Sequence, residues 1–230
     1  MDFMKLLKSI EELLYELISW FVFYPLTFWR IVVRPIAMLS YAQKELTERQ
    51  DEQFDDAVSP PILLVLTLVM LHIVEGVFNQ AWASALPALF QDDRNLLIFR
   101  AVSFSLFPLL YATVGLRTGG ARLTRTTLRP AFYSQSYATV PFVLAASIGL
   151  QLAGQLSSPL RILGLGFMAV GAGWYLAVEI AWLRKTAKMS LAKAIAMSVG
   201  LFSVAVIMLV LVALVVSLTA TNLEHANVPG

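Results

Sequence analysis

The sequence predicts an all-α, polytopic integral membrane protein, in which amphipathic interfacial helices precede a five-helix transmembrane bundle. Three observations carry this prediction. Of the 230 residues, 58% are hydrophobic and only 14% are charged, whereas a soluble domain is about half apolar and about a quarter charged. Five segments have the roughly 20 mainly apolar residues that a membrane-spanning helix needs. Lys and Arg are concentrated in alternate connections between these segments.

The first 21 residues have the pattern of an amphipathic helix. Apolar side chains recur at helical spacing, and the charged residues between Lys5 and Glu16 take the other face. Such a helix is expected to lie on the membrane or on the bundle. A second helix is predicted from about Pro25 to Leu46. The candidate lipid contacts at the membrane interface are Trp20, Tyr24, Trp29, Arg30 and Arg34.

Residues 13–29 also allow an alternative with a sixth span. Glu16 is the only charged residue in this 17-residue stretch, which is close to the minimum length of a membrane-spanning helix. Pro25 and the nearby Arg30 argue against a span here. The five-span prediction therefore leads, and the six-span alternative stays open.

The five predicted spans are residues 61–84, 95–116, 131–153, 160–183 and 195–219. Short connections make consecutive spans antiparallel neighbours in one bundle. The predicted organisation has a cytoplasmic region of amphipathic helices and acidic linker (1–58), a transmembrane bundle (59–220) and a short exterior tail (221–230).

The basic residues predict the orientation. The 117–129 and 184–193 connections each contain four basic residues and no acid, and six more basic residues precede the first span. In the five-span arrangement 14 of the 17 Lys and Arg residues lie on one side, which the positive-inside rule makes cytoplasmic. The protein is therefore predicted to lie in the inner membrane, with a cytoplasmic N-terminus and an exterior C-terminus.

Ionisable residues inside a span are functional candidates, because charge in the bilayer is costly. His72, Glu75 and Asn79 are spaced to share one helix face. At ~1.5 Å of rise per residue, Glu75 and Arg100 lie at depths about 6 Å apart. An ion pair between these two is predicted, with His72 one turn below. Glu179 lies in the other leaflet, where Arg184 or Lys185 could pair with it.

Two interpretations of His72, Glu75 and Arg100 are open. They could form a proton or ion site of a transporter, or a satisfied polar contact between helices. A carrier usually has more polar groups at the midplane and broken helices around them, which favours the structural contact. Pro108 and Pro141 lie near mid-span, but membrane helices tolerate proline.

Small residues at four-residue spacing in the last three predicted spans let helix backbones approach closely. Packing within the bundle is preferred over a dimer interface, although a homo-oligomer is possible. The glycines of residues 164–173 have no preceding strand and no Lys, so a phosphate-binding loop is rejected. The three rows are Ala145, Gly149 and Ala153; Ala169, Gly173 and Ala177; and Ala192, Ala196 and Gly200.

Residues 45–56 contain six acids and a single base, Arg49. The basic 117–129 and 184–193 connections are predicted on the same side of the membrane. The acidic segment could dock on these connections, or it could be a solvated linker.

Several classes of function lack their sequence signals. No serine or histidine has the context of a catalytic set, so no enzyme is predicted. The chain has no cysteine, and neither a metal site nor a cofactor is predicted. No basic arm with interleaved aromatic residues is present, so no nucleic-acid partner is expected.

A short stretch before the first span resembles bacterial members of the Yip1-like superfamily, which are often labelled permeases. The eukaryotic branch's Asp-Leu-Tyr-Gly-Pro signature is not present, and the resemblance implies the five-span fold and no catalytic residue. The resembling residues are Tyr24-Pro25-Leu26-Thr27-Phe28-Trp29-Arg30, then Arg34-Pro35, then Ser59-Pro60-Pro61.

The leading functional prediction is a non-enzymatic inner-membrane protein that acts as a scaffold, a lipid-associated factor or an accessory subunit. Its expected partners are membrane lipids and another membrane or cytoplasmic protein, which would bind the N-terminal region and the basic connections. The alternative is a small-solute or ion-coupled permease with a polar path at His72, Glu75 and Arg100.

Overall fold

The structure, a computed structural model, describes residues 3–49, 52–77, 92–155 and 157–226. These ranges are helical with short connections, and they contain no strand. The predicted all-α class is therefore confirmed. The helices are α1 (Phe3–Val33), α2 (Pro35–Glu45), α3 (Pro60–Val77), α4 (Asp93–Thr118), α5 (Arg125–Ala153), α6 (Ser158–Ala187) and α7 (Leu191–Ala226).

Five helices in the described ranges are long and apolar enough to cross a membrane, in agreement with the predicted multi-pass membrane protein. Four of them, α4 to α7, contain the last four predicted spans. The fifth is α1, whose apolar stretch is Met4–Val33. The described part of α3 has 18 residues, and the predicted span at 61–84 continues beyond it into residues outside the described ranges.

The helix boundary near Pro25 was predicted wrongly. α1 continues through Pro25 to Val33, and the chain leaves helical geometry at Arg34 (φ −134°, ψ 58°) before α2 begins at Pro35. A residue before proline is pushed away from helical geometry, and Arg34 before Pro35 leaves it, whereas the helix continues through Pro25. The turn there brings Leu39 of α2 into the core, where it is completely buried.

Helices α5 and α6 are antiparallel and touch along their length. The glycines at their interface allow this approach: a Cβ atom on Gly164 would collide with the carbonyl oxygen of Gly149, and one on Gly171 would collide with the Ala145 side chain. Small residues at such an interface let backbones pack closely. The predicted packing role of the row around Gly149 is thus confirmed.

The other two rows of small residues do not pack within the bundle. A Cβ atom added to Gly173 or Gly200 would have nothing within 4 Å, and both glycines are exposed together with their neighbours Ala169, Ala177 and Ala196. The prediction of intramolecular packing was wrong for these rows. A four-residue spacing defines a face but does not say which face meets the neighbouring helix.

Five aromatic rings fill the centre of the four-helix bundle α4–α7. Their contacts include Phe107 with Phe142, Tyr111 with Tyr175, and Tyr175 with Phe202, at ring-centroid distances of 5.0 to 6.1 Å. Such aromatic pairs add to the free energy of apolar burial. We call these five residues the aromatic cluster: Phe107, Tyr111, Phe142, Tyr175 and Phe202.

The connections after α4 and after α6 lie at one end of the bundle, which we call the basic end because residues 117–129 and 184–193 lie there. The same end carries the cap, defined as α2 and the 46–58 segment. Ser134 Oγ donates a hydrogen bond to the Leu39 carbonyl (2.7 Å), and the Tyr137 hydroxyl donates one to the Val58 carbonyl (2.7 Å). The cap is therefore packed directly on α5.

The acidic part of the cap makes its described ion pairs within the N-terminal region. Asp56 accepts from Arg30 Nη1 (2.9 Å) and from the Tyr41 hydroxyl (2.5 Å). Glu45 accepts from the backbone N–H of Phe54 (2.6 Å). The remaining described ion pairs of 45–56 involve Lys44 and Arg49, so none reaches the basic connections. The described residues of the segment, 45–49 and 52–56, are folded, and their described ion pairs do not show the predicted docking on those connections.

Candidate functional site

The first intramembrane site joins α3 and α4. Arg100 Nη1 donates to Glu75 Oε2, and the two side chains are only 14% and 7% exposed. The predicted contact between these residues is therefore present. A buried carboxylate that keeps a guanidinium partner can remain ionised, because the two charges compensate each other.

The other predicted members of this group do not join the pair. His72 Nε2 lies 3.4 Å from Asp93 Oδ1 at the start of α4. Its buried Nδ1 has no hydrogen-bond partner in the described part of the chain. Asn79 lies outside the described residues. The described site is thus a two-residue ion pair, and His72 belongs to a separate contact.

Glu75 and Arg100 line a cavity of about 270 Å³ at the end of the bundle remote from the basic end. We call it the outer cavity. Its wall includes Ser103 and Gln151. Ser103 Oγ and Gln151 Nε2 have no hydrogen-bond partner in the described part of the chain. Apolar residues make most of the remaining wall, among them Phe99, Phe104, Phe107, Phe142, Ala146, Leu150, Met168, Val206 and Leu209.

The second intramembrane site is centred on Glu179 of α6, which is completely buried. The Gln135 amide of α5 faces it, with its nitrogen 2.5 and 3.2 Å from the two carboxyl oxygens. The Gln135 oxygen accepts from Trp182 Nε1 at 3.2 Å. In this amide orientation every polar atom of Gln135 meets a suitable partner.

The predicted pairing of Glu179 with Arg184 or Lys185 was wrong. Lys185 Nζ donates to Ser40 Oγ of α2 (2.8 Å) and lies over the Trp182 ring (5.6 Å). The prediction used depth alone and ignored direction around the helix. With about 3.6 residues per turn, positions five and six residues farther along α6 leave the face that carries Glu179.

A second cavity, of about 200 Å³, lies at the basic end beneath the cap. We call it the inner cavity. Gln135 and Trp182 line it, so it reaches the group that holds Glu179. Its other lining residues are Gln43, Tyr111, Ala112, Gly115, Leu116, Ala131 and Thr186.

The two cavities approach each other across the aromatic cluster. Phe107 lines the outer cavity and Tyr111 lines the inner one. These residues are four positions apart on α4, which is a rise of about 6 Å along the helix. Two half-open cavities thus border the aromatic cluster, at Phe107 and at Tyr111, which lie about one helical turn apart.

The sequence interpretation missed the polar face of α5. Ser134, Gln135, Ser136 and Thr139 are all buried, although they lie in an otherwise apolar span. A signal was available, since four polar residues within six positions are unusual in a predicted span. None of them is ionisable, and ionisable residues are the usual marker of a polar site inside a span.

A third cavity, of about 480 Å³, separates α1 from the cap and the start of α3. Tyr15 and Glu16 of α1 line it opposite Gln53 and Asp55. Arg30, some 21 Å farther along α1 at ~1.5 Å per residue, also contacts this segment through Asp56. Both parts of α1 therefore border the same short segment, residues 53–58.

The candidate lipid contacts divide into two groups. Tyr24 is hydrogen-bonded to Thr67 Oγ1 of α3 (3.0 Å), and Arg30 is held by Asp56. Trp20 Nε1 donates to Glu16 (3.1 Å). Trp29 is 67% exposed, and Arg34 is exposed as well, so these two remain free to meet headgroups.

Comparison with known proteins finds no matching family model, no matching curated protein and no matching solved structure. The resemblance to the Yip1-like superfamily therefore stays a prediction.

Proposed function

We propose that the protein is a non-enzymatic, lipid-associated scaffold or accessory factor of the inner membrane. In this proposal α1 lies in the membrane interface, and α1 and the cap form the surface that partners contact. The observation that carries the proposal is that α1 borders the 53–58 segment of the cap both near Glu16 and at Arg30.

The exposed surface of α1 supports this arrangement. Every residue from 4 to 18 is exposed. The apolar side chains of this part recur at helical spacing, and Lys8, Glu11 and Glu12 lie between them. An amphipathic helix with such faces is stabilised in the plane of the headgroups. The exposed apolar residues of this part of α1 are Met4, Leu6, Leu7, Ile10, Leu13, Leu14, Leu17 and Ile18.

The orientation follows from the same proposal. If the basic end faces the cytoplasm, as the positive-inside rule favours, the cap and α1 are cytoplasmic. Five crossings by α3 to α7 then leave the C-terminus outside. The alternative is that α1 crosses the membrane, since it is long and apolar enough to do so.

The depth of α1 in a bilayer tests the proposal. The chain has no cysteine, so single cysteines can carry a spin label at successive positions from 5 to 18 without background labelling. An interfacial helix gives a depth that oscillates with a period of about 3.6 residues and has no overall trend. A steady change in depth along α1, like that of control positions 200–213 on α7, would contradict the proposal.

The two cavities favour a second candidate, a small-solute or ion-coupled permease. Hydrophobic constrictions can gate a path by excluding water, and the aromatic cluster stands between two partly polar cavities. In this candidate Glu75 and Arg100 line the outer part of the path.

Flux into proteoliposomes separates this candidate from the scaffold. A permease predicts that Phe142→Ala, which removes a ring between the cavities, increases the uptake of protons or small solutes. Phe167→Ala is the matched control, because Phe167 is 43% exposed and lines neither cavity. Uptake equal to that of empty liposomes in all three proteins would exclude the permease.

A further inference from the structure

Glu179 differs from every other acid in the described part of the chain by its complete enclosure. Its side chain is 0% exposed, and its neighbours Gln135, Tyr175 and Trp182 are at most 5% exposed. It lies on α6, where Gln135 of the neighbouring helix α5 faces it. No ion pair involves it among the described residues.

The groups that face Glu179 from the packed helices are neutral or distant from its oxygens. α5 contributes the Gln135 amide, and α4 contributes Tyr111, whose hydroxyl donates to the Ser198 carbonyl of α7 (2.7 Å). On α6 itself are the phenol of Tyr175 and the indole of Trp182. The ammonium of Lys185 lies over the Trp182 ring and donates to Ser40 Oγ of α2 instead.

This environment determines which form of the carboxyl is tolerated. An isolated carboxylate inside an apolar region is costly, and such a group avoids the cost by taking a proton. The Gln135 nitrogen can donate to the ionised form, so release of the proton does not leave the oxygens without a donor. Glu179 can therefore be protonated or ionised at this position, and the ionised form depends on the hydrogen bond from Gln135.

The inner cavity gives the site a route for exchange. Gln135 and Trp182 line this cavity at the basic end, and the carboxyl of Glu179 lies directly behind the Gln135 amide. Water that enters the cavity comes within one side chain of the carboxyl. No equivalent contact among the described residues links Glu179 to the outer cavity, whose lining excludes both Gln135 and Trp182.

We propose that Glu179 is an exchangeable proton-binding site that opens to the basic end through the inner cavity. Uptake moves a proton from water in the cavity to a Glu179 carboxylate oxygen, and release returns it to water. The ligand is the proton alone, and no other bond is made or broken. The site does not depend on the scaffold function proposed above.

Infrared difference spectroscopy of the full-length protein in lipid tests this proposal. Spectra at alkaline and acidic pH are subtracted, in H₂O and in D₂O. Exposed carboxyls also take protons in acid, so the band to follow is the C=O stretch at the higher frequency of a protonated carboxyl in apolar surroundings. We expect this band to grow as the pH falls and to shift to lower frequency in D₂O, because the proton exchanges. Glu179→Gln, which keeps the side-chain shape, should remove this band. Glu75→Gln should retain it.

A second variant tests the role of Gln135. Gln135→Leu removes the donor to the ionised carboxyl, so the midpoint of the Glu179 band should move to higher pH. Gln151→Leu, on the wall of the outer cavity, is the control and should leave the midpoint unchanged. The proposal is overturned if no such high-frequency band titrates, if this band persists in Glu179→Gln, or if it fails to shift in D₂O.

Discussion

Glu75 and Glu179 are two carboxyl groups enclosed in the same helical bundle, and they have different partners. Glu75 is held by the guanidinium of Arg100, whereas Glu179 is held by the neutral amide of Gln135. Both side chains are less than 10% exposed. The partner, and not burial alone, therefore determines the state of an enclosed carboxyl. With a cationic partner it forms an ion pair between helices, and with a neutral partner it can carry a proton.

The largest expected effect comes from breaking the Glu75–Arg100 pair. Glu75→Gln and Arg100→Gln each leave one charge without its partner, at a cost on the order of 2.5–3.5 kcal/mol on membrane-insertion scales. Movement of the Arg100 head toward the membrane surface would reduce the loss in Glu75→Gln. The double variant removes both charges and should recover much of the free energy of unfolding, measured in detergent.

Non-additivity of the three variants is the quantity that identifies the pair as a contact in solution. If the two single costs add in the double variant, Glu75 and Arg100 are not energetically coupled. The contrast with Glu179 would then disappear, because both carboxyls would lack an ionic partner.

The next effect tests the helix contact that brings Gln135 against Glu179. In Gly164→Ala the new methyl group meets backbone atoms of α5, so α5 and α6 must move apart. Overpacking of this kind typically costs about 1–3 kcal/mol. Gly166→Ala is the control, because nothing lies within 4 Å of its Cβ position.

Thermal unfolding in detergent gives the comparison of these glycines directly. The control should be neutral or slightly stabilising, since Ala is the better helix former by about 1 kcal/mol. Equal unfolding temperatures for the two variants would mean that the α5–α6 contact is not as close as described.

Asp56 provides a reference carboxyl outside the membrane-spanning segments. The Tyr41 hydroxyl, and after it Arg30, hold the pKa of Asp56 below its usual value. A carboxyl whose pKa is lowered by folding stabilises the folded protein at pH values above the pKa of the unfolded chain, about 3.9. This stabilisation is lost as the pH falls through the pKa of the folded protein. Its side chain is 61% exposed, so the contribution should be about 1 kcal/mol or less.

Asp56→Asn should therefore increase protease nicking of the cap at neutral pH and make little difference in acid, where the wild-type carboxyl is protonated. Asp55→Asn is the matched control, as Asp55 is exposed and has no described ion pair or hydrogen bond. Identical nicking of the wild type and Asp56→Asn at neutral pH would show that this contact does not hold the cap.

The smallest expected effect is that of Glu179→Gln on stability. The substitution keeps the shape and leaves an oxygen that can accept from Gln135. It should cost at most about 1 kcal/mol, the net contribution of one neutral hydrogen bond. Glu75→Gln makes the same chemical change at the other site and should cost more. Both free energies of unfolding are measured in the same detergent. A larger loss of stability in Glu179→Gln than in Glu75→Gln would contradict the proposed difference between the two sites.

The sequence predicted those parts of the fold that depend on apolar length and spacing along the chain. The last four spans and the level of Glu75 relative to Arg100 follow from residue counts, because helix rise is constant. The partner of Glu179 could not be predicted in this way. It depends on which face of α6 meets α5, and that is set by the glycine contact between Gly149 and Gly164.

The N-terminal region shows the same limit. The amphipathic spacing before residue 21 predicts a helix, but two prolines, Pro25 and Pro35, were each able to end it. The break occurs at Pro35, where α2 turns to bury Leu39 against α5. Tertiary packing therefore determines which proline ends the helix, and local propensity alone does not predict it.

Reaction with a hydrophobic carbodiimide tests the contrast between Glu75 and Glu179 most directly. The reagent adds to protonated carboxyl groups in apolar surroundings, and mass spectrometry of peptides from the labelled full-length protein locates the adduct. We predict an adduct at Glu179 that is lost in Glu179→Gln, and none at Glu75 unless Arg100 is replaced by Gln. An adduct at Glu75 in the wild type, with Glu179 unmodified, would contradict the account.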